Sequence, residues 1–347
     1  MNVRSIASPF SSPPPAGALL TTLADIADEI NHIHTDGEAL LRRARRPLVL
    51  GMGGGGDVVG ALATAEHARR YDGAAPVLGG VSWERRPIDP QPGPRGASEI
   101  ADAQEIAPSV LVAGPATRVD ASDVLFAESR MARFLGELTI LVDINDGPAA
   151  VASGLAKAAR ELGCDLVVFV DVGGDVLARG DEPGLRSPLC DAIMLAAAGH
   201  LQQAGWPVLL GIFGIGCDAE LTPAEVLDRV AVVAGAGGLC GARGLTEEVA
   251  AQVEAAARVV PTEASATAVR AFRGEHGPVP IRGGEHTVEL SPMAALTLLL
   301  DVAVTIEAAG ELAKAVEGAS SLHEANAALS ALGIATELDR ETEAGLS

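Results

Sequence analysis

The chain has 347 residues, 48% hydrophobic and 20% charged, which supports one large α/β domain or two ordinary ones. Its formal net charge of −21 excludes a basic surface that tracks nucleic-acid phosphates. Lys157 and Lys314 are the only lysines and both fall in predicted helices, so neither a Schiff-base lysine in a loop nor a P-loop lysine after glycines is available.

Residues 1–17 include the run SPFSSPPP (8–15) and are expected to be a disordered leader. They lack a basic segment followed by an apolar one, so no signal peptide is expected. Helical patterns follow at 19–33 and 37–45. Strand-like runs then appear at 47–51, 75–82, 109–114, 138–144, 166–172 and 207–213. Most are apolar without alternation, as strands covered on both faces should be. Helix-period segments lie at 57–71, 122–135, 147–162 and 187–203. Ser187-Pro188 and Thr222-Pro223-Ala224-Glu225 carry helix-start signals. This alternation predicts a doubly wound, mostly parallel, Rossmann-like α/β sheet over 18–220. Helical patterns at 222–236, 246–259 and 263–273, an extended piece at 278–290 and further helices predict an α-rich cap over 221–335, with one continuous domain as the alternative. Residues 336–347 are expected to be a tail. The apolar run 293–306 is too short to span a bilayer and is expected to be a core helix. Cys164, Cys190, Cys217 and Cys240 include no close pair, which fits reduced thiols in a cytoplasmic protein.

In an open parallel sheet, ligands bind beyond the carboxyl ends of the strands, and here those ends hold the unusual residues. The first strand breaks into Gly53, Gly54, Gly55, Gly56 and Asp57 just before a helix. Bare amides and the positive end of the helix dipole would form an anion site there. Gly51-x-Gly53-x-x-Gly56 also matches a dinucleotide fingerprint formally, with Glu84 as a candidate ribose-binding acid. However, Asp57 would place a carboxylate beside the pyrophosphate. The second strand end carries Glu84, Arg85, Arg86 and Arg95. The fifth carries Asp171, Gly173, Gly174, Asp175, Arg186 and Ser187, and the sixth Asp218 and Glu220. The arginines suit bidentate phosphate or carboxylate recognition, though each can equally pair with a neighbouring acid. Asp57, Asp171, Asp175 and Asp218 are candidate Mg²⁺ ligands, although aspartates at such positions also cap helices and turns. Asp143, Asp175 and Asp191 are the candidate catalytic carboxylates, with Asp143 or Asp191 as general base.

The runs GGGGDVVGA (53–61), WERRPIDPQPGPRG (83–96), VDVGGDVLARGDEPGLRSPLCDA (170–192) and GIGCDAEL (214–221) resemble a family catalogued as domain of unknown function 1152, which comprises bacterial and archaeal cytoplasmic proteins. The resemblance extends over about 47–290. The family favours glycine where this chain has Ala219, which makes Asp218 the more secure acid of its loop. The resemblance implies that these loops matter and supplies no activity.

The expected function is an enzyme acting on a phosphorylated small molecule, a nucleotide or sugar phosphate, by Mg²⁺-assisted transfer or hydrolysis. The alternatives are an NAD(P)-dependent oxidoreductase and a non-catalytic nucleotide sensor or scaffold. The expected partner is an anionic small molecule, with no nucleic acid and no membrane; a homo-oligomer is compatible with the sequence.

Overall fold

The central strands are apolar at every position because each of their faces meets its own core. Leu48, Leu50, Val167 and Phe169 pack into one core, whereas Val49, Val168 and Val170 pack into the other. Each such side chain, fully withdrawn from water, contributes about 1.5–3 kcal/mol. A computed structural model describes residues 36–346; the expected leader and the helix expected at 19–33 lie outside the described residues.

In chain order the strands are β1 (Pro47–Gly51), β2 (Val77–Val81), β3 (Ile100–Ala107), β4 (Val110–Val119), β5 (Thr139–Val142), β6 (Leu166–Val172), β7 (Val208–Phe213), β8 (Leu239–Gly244), β9 (Gly277–Ile281), β10 (His286–Leu290) and β11 (Leu296–Leu300). Nine of them form one sheet in the order β3-β4-β5-β2-β1-β6-β7-β11-β8, and β9 and β10 form a separate hairpin. The stretch β5-β2-β1-β6-β7 is parallel. Both flanks are antiparallel. The fold is therefore α/β with a mixed sheet around a parallel centre.

Helix Asp57–His67 follows β1 and packs into one core, while Gly147–Leu162 and Pro188–Gln203, on either side of β6, pack into the other. The chain thus moves outward from β1 through β2 to β5 and then crosses to β6 and β7 on the far side. The loops leaving β1 and β6 splay apart at that reversal and open a crevice at their carboxyl ends.

Four expectations need correction. The run at 109–114 belongs to an antiparallel strand, paired with β3, which sequence reading missed because it is a partly exposed edge strand with weak alternation. The segment 221–335, expected as an α-rich cap with one extended piece, also supplies two strands to the main sheet: β8 and β11 lie side by side at its edge. The apolar run 293–306 is accordingly not one helix. Leu296–Leu300 is a strand, and the Asp301 side chain accepts the Val304 amide to start the helix Val302–Ala309. A short, continuously apolar run fits a buried strand and a buried helix equally well. The expected tail at 336–347 contains the helix Glu337–Leu346, which docks on the crevice. No helix among the described residues is long and apolar enough to cross a membrane.

Candidate functional site

The crevice holds a cavity of about 660 Å³ walled by the glycine turn after β1, the Glu84–Ile88 segment after β2, the loops after β6 and β7, and residues 261–264 with Arg282. In the glycine turn, Gly54 and Gly55 take left-handed φ values of 81° and 52°. Not all four amides face the cavity freely. The Gly53 N–H donates to Asp57 Oδ2 at 2.9 Å and the Gly55 N–H to the Trp83 carbonyl at 3.0 Å. The amides of Gly54 and Gly56 donate to no acceptor among the described residues. Burial raises the Asp57 pKa to about 7, against the lowering effects of the Gly53 amide and Arg85.

Arg85 is the cation of this wall. Its Nη2 donates to the Gly53 carbonyl at 2.6 Å and lies 3.3 Å from Glu337 Oε1, and its guanidinium stacks 4.0 Å from the centre of the Trp83 ring. Nη1 is buried and lacks an acceptor. Burial alone would lower the Arg85 pKa, but Glu337 and other surrounding acids outweigh it and keep the group charged. Glu337 also accepts the amides of Leu189 and Cys190, at 2.9 and 2.8 Å, and so caps the helix Pro188–Gln203. Glu341 accepts from Trp83 Nε1 at 3.0 Å and from the Gly93 amide at 2.9 Å. The carboxyl-terminal helix is therefore part of the site's frame.

Six carboxylates converge on the floor. Oxygens of Asp57, Asp171 and Asp191 lie within 4.8 Å of one another, and so do oxygens of Asp175, Asp218 and Glu220. Two of the six are firmly held: Asp171 Oδ2 accepts the Gly174 amide at 2.7 Å, and Glu220 accepts the Arg186 and Ser187 amides and the Ser187 hydroxyl. By contrast, Asp191 Oδ1 and both oxygens of Asp218 are buried without a hydrogen bond of normal geometry. Burial is the first cause raising the pKa of Asp218 to about 8, with Glu220 adding to it and nearby amides partly offsetting it. Burial and neighbouring acids likewise push Asp171, Asp175 and Asp191 well above the ordinary carboxylate range. Gly173 permits this crowding: a Cβ there would sit 2.3 Å from the Asp218 carboxyl carbon.

Of the residues predicted from sequence, Gly53 to Gly56, Asp57, Glu84, Arg85, Arg86, Asp175, Ser187, Asp191 and Asp218 line the cavity, and Asp171 joins them in the acidic floor. Four expectations are corrected. Asp143 is not a free base: it accepts from the Ala97 amide and from both nitrogens of Asn145, and it lies away from the cavity wall. Arg95 is buried in an ion pair with Asp89 at 2.8 Å and donates to the Gln91 carbonyl. The Gly173 and Gly174 amides do not face a guest, since they donate to the Phe213 carbonyl and to Asp171. Arg186 is exposed, away from the cavity, and contributes its backbone amide. Glu84 lines the wall but is deeply buried. Its Oε1 accepts the Ala127 amide at 2.5 Å, and burial raises its pKa to about 7. Sequence reading missed the roles of Glu337, Glu341 and Arg282, whose Nη2 donates to the Asp218 carbonyl at 3.1 Å.

The chain belongs to the family described as "Protein of unknown function (DUF1152)", whose profile matches residues 48–345. No curated protein and no solved structure gives a match. The matched span runs through the crevice loops and into the carboxyl-terminal helix, past residue 290.

Proposed function

We propose that this member of the DUF1152 family is an enzyme that binds a phosphorylated small molecule in the crevice and transfers or hydrolyses its phosphoryl group with Mg²⁺ assistance. The observation that carries this reading is the pairing of buried, unpartnered carboxylate oxygens on Asp191 and Asp218 with an uncommitted guanidinium nitrogen on Arg85 and two open glycine amides across one cavity. An acidic floor repels an anion unless a cation lies between them. The donor set fits a hard divalent ion, since every candidate ligand is a carboxylate. Asp57, Asp171, Asp175 and Asp218 would supply oxygens to it. When bound, Mg²⁺ offsets charge on the phosphoryl oxygens.

The chain's own groups then have distinct tasks. Arg85 and the Gly54 and Gly56 amides orient the phosphate. Glu84, with a pKa of about 7, takes the proton of an attacking water or acceptor hydroxyl. One P–O bond forms to that oxygen while the bond to the leaving group breaks, and the leaving oxygen departs with the electron pair. The order of the parallel strands, with the third and second on one side of the first and the fourth and fifth on the other, supports a Rossmann-like reading of the crevice. The dinucleotide alternative draws less support, because Asp57 folds onto the Gly53 amide that a pyrophosphate would need.

A thermal-shift panel of ATP, NAD, sugar phosphates and phosphoribosyl compounds, each with and without Mg²⁺, tests the reading. Stabilisation by a phosphorylated compound that depends on Mg²⁺, followed by product formation, is expected. Stabilisation by NAD independent of Mg²⁺ would favour the oxidoreductase. Binding without product would favour the sensor.

A further inference from the structure

We infer that the acidic floor is a two-cation centre with separate seats, one formed by Asp57, Asp171 and Asp191 and the other by Asp175, Asp218 and Glu220. Each triad brings ligand oxygens within 4.8 Å of one another, and each contains its own buried carboxylate with an unpartnered oxygen: Asp191 in the first, Asp218 in the second. Asp191 is 2% exposed and Asp218 is 8% exposed, so water does not readily satisfy them. One ion confined to either triad would leave the unpartnered carboxylate of the other triad stranded.

Charge balance points the same way. The two triads carry six negative charges when ionised; one divalent ion leaves four and two leave two, and Arg85 at the wall is already paired with Glu337. Double occupancy therefore lowers the repulsion that an anionic guest meets more than single occupancy does. The ligands also define the class of ion. All six are carboxylates, and among the described residues no histidine lines the cavity. The nearby Cys190 thiol is directed to the Met52 carbonyl, 3.1 Å away. Oxygen-only seats select Mg²⁺, Mn²⁺ or Ca²⁺ over zinc. Asp191 is thereby assigned as a ligand instead of a base, and Glu220, held in place by Arg186 and Ser187, becomes a ligand of the second seat.

This inference rests on reading the cavity as a cation-assisted site, but its test uses no phosphorylated compound, so the two can fail separately. The full-length protein is stripped with a chelator and titrated with Mn²⁺, and free ion is counted by electron paramagnetic resonance. Two ions per chain, both displaced by Mg²⁺, are expected. Asp191→Asn and Asp218→Asn should each bind one ion and the double variant none, while Asp143→Asn still binds two. Circular dichroism establishes that each variant is folded, and the count on the unaltered chain stands even if a variant is not. One ion or none on the unaltered chain, or loss of both ions in either folded single variant, overturns the two-seat assignment.

Discussion

Burial sets the chemistry of individual side chains here, and Glu84 shows how. Its pKa rises from 4.5 to about 7, so between those values the folded chain holds a proton that the unfolded chain has released. Stability from that proton is fully present below about 4.5 and is lost as pH rises through about 7. A shift of this size corresponds to about 3 kcal/mol. Glu84→Gln should therefore lose about 2–3 kcal/mol less than the unaltered protein between pH 5 and pH 8, by urea unfolding, and it should also lose turnover. An unchanged pH profile would place the titration elsewhere. Ala219 offers a second test. It takes φ 65°, in the left-handed region that favours glycine. Ala219→Gly relieves that strain but frees the unfolded chain, and the balance should be a gain of about 0.5–1 kcal/mol in unfolding free energy. Asp143→Ala should instead destabilise by about 1–3 kcal/mol, because it strands the Ala97 amide and both donors of Asn145.

Among the secondary-structure elements, the carboxyl-terminal helix does the least obvious task. Glu337 satisfies two amides of the helix Pro188–Gln203, whose own Ser187 directs its hydroxyl to Glu220 instead of capping. It is also the ion-pair partner of Arg85. Glu337→Ala should lower unfolding free energy by about 2–4 kcal/mol, with Glu337→Gln intermediate, because a buried guanidinium and two helix-end amides lose their acceptor. A melting temperature unchanged in both variants would show that the helix is only a passenger. No sequence pattern announced this role, since the partners lie 148 and 252 residues apart. The glycine turns and their acids were readable because they follow strands apolar on both faces, and the capping box at Thr222–Glu225 was readable because it is local. β3 and β8 were not, being partly exposed edge segments with weak alternation, and β11 was hidden inside a run that fits either periodicity. Asp143 and Arg95 looked like site residues because their loops are close to the site in sequence. Their side chains are consumed by Asn145 and Asp89.

Across the whole molecule, the parallel centre of the sheet gathers acids from three strand ends into one low-dielectric floor, within a chain whose net charge is already −21. Two electrostatic terms therefore oppose folding, and they respond differently to ions. Repulsion among surface acids is screened by any salt, with a Debye length of about 10 Å at 0.1 M. The buried floor is reached only by an ion that sheds water and takes carboxylate oxygens directly. At matched ionic strength, Mg²⁺ should raise the melting temperature well above the value in NaCl. At a free concentration of about one hundred times the dissociation constant, each seat should add roughly 2.7 kcal/mol. Asp191→Asn or Asp218→Asn should remove about half of that increment, and chelation should return the protein to its NaCl value. Equal melting temperatures in Mg²⁺ and NaCl would mean that the floor stays protonated and holds no cation, and the proposed chemistry would then lose its foundation.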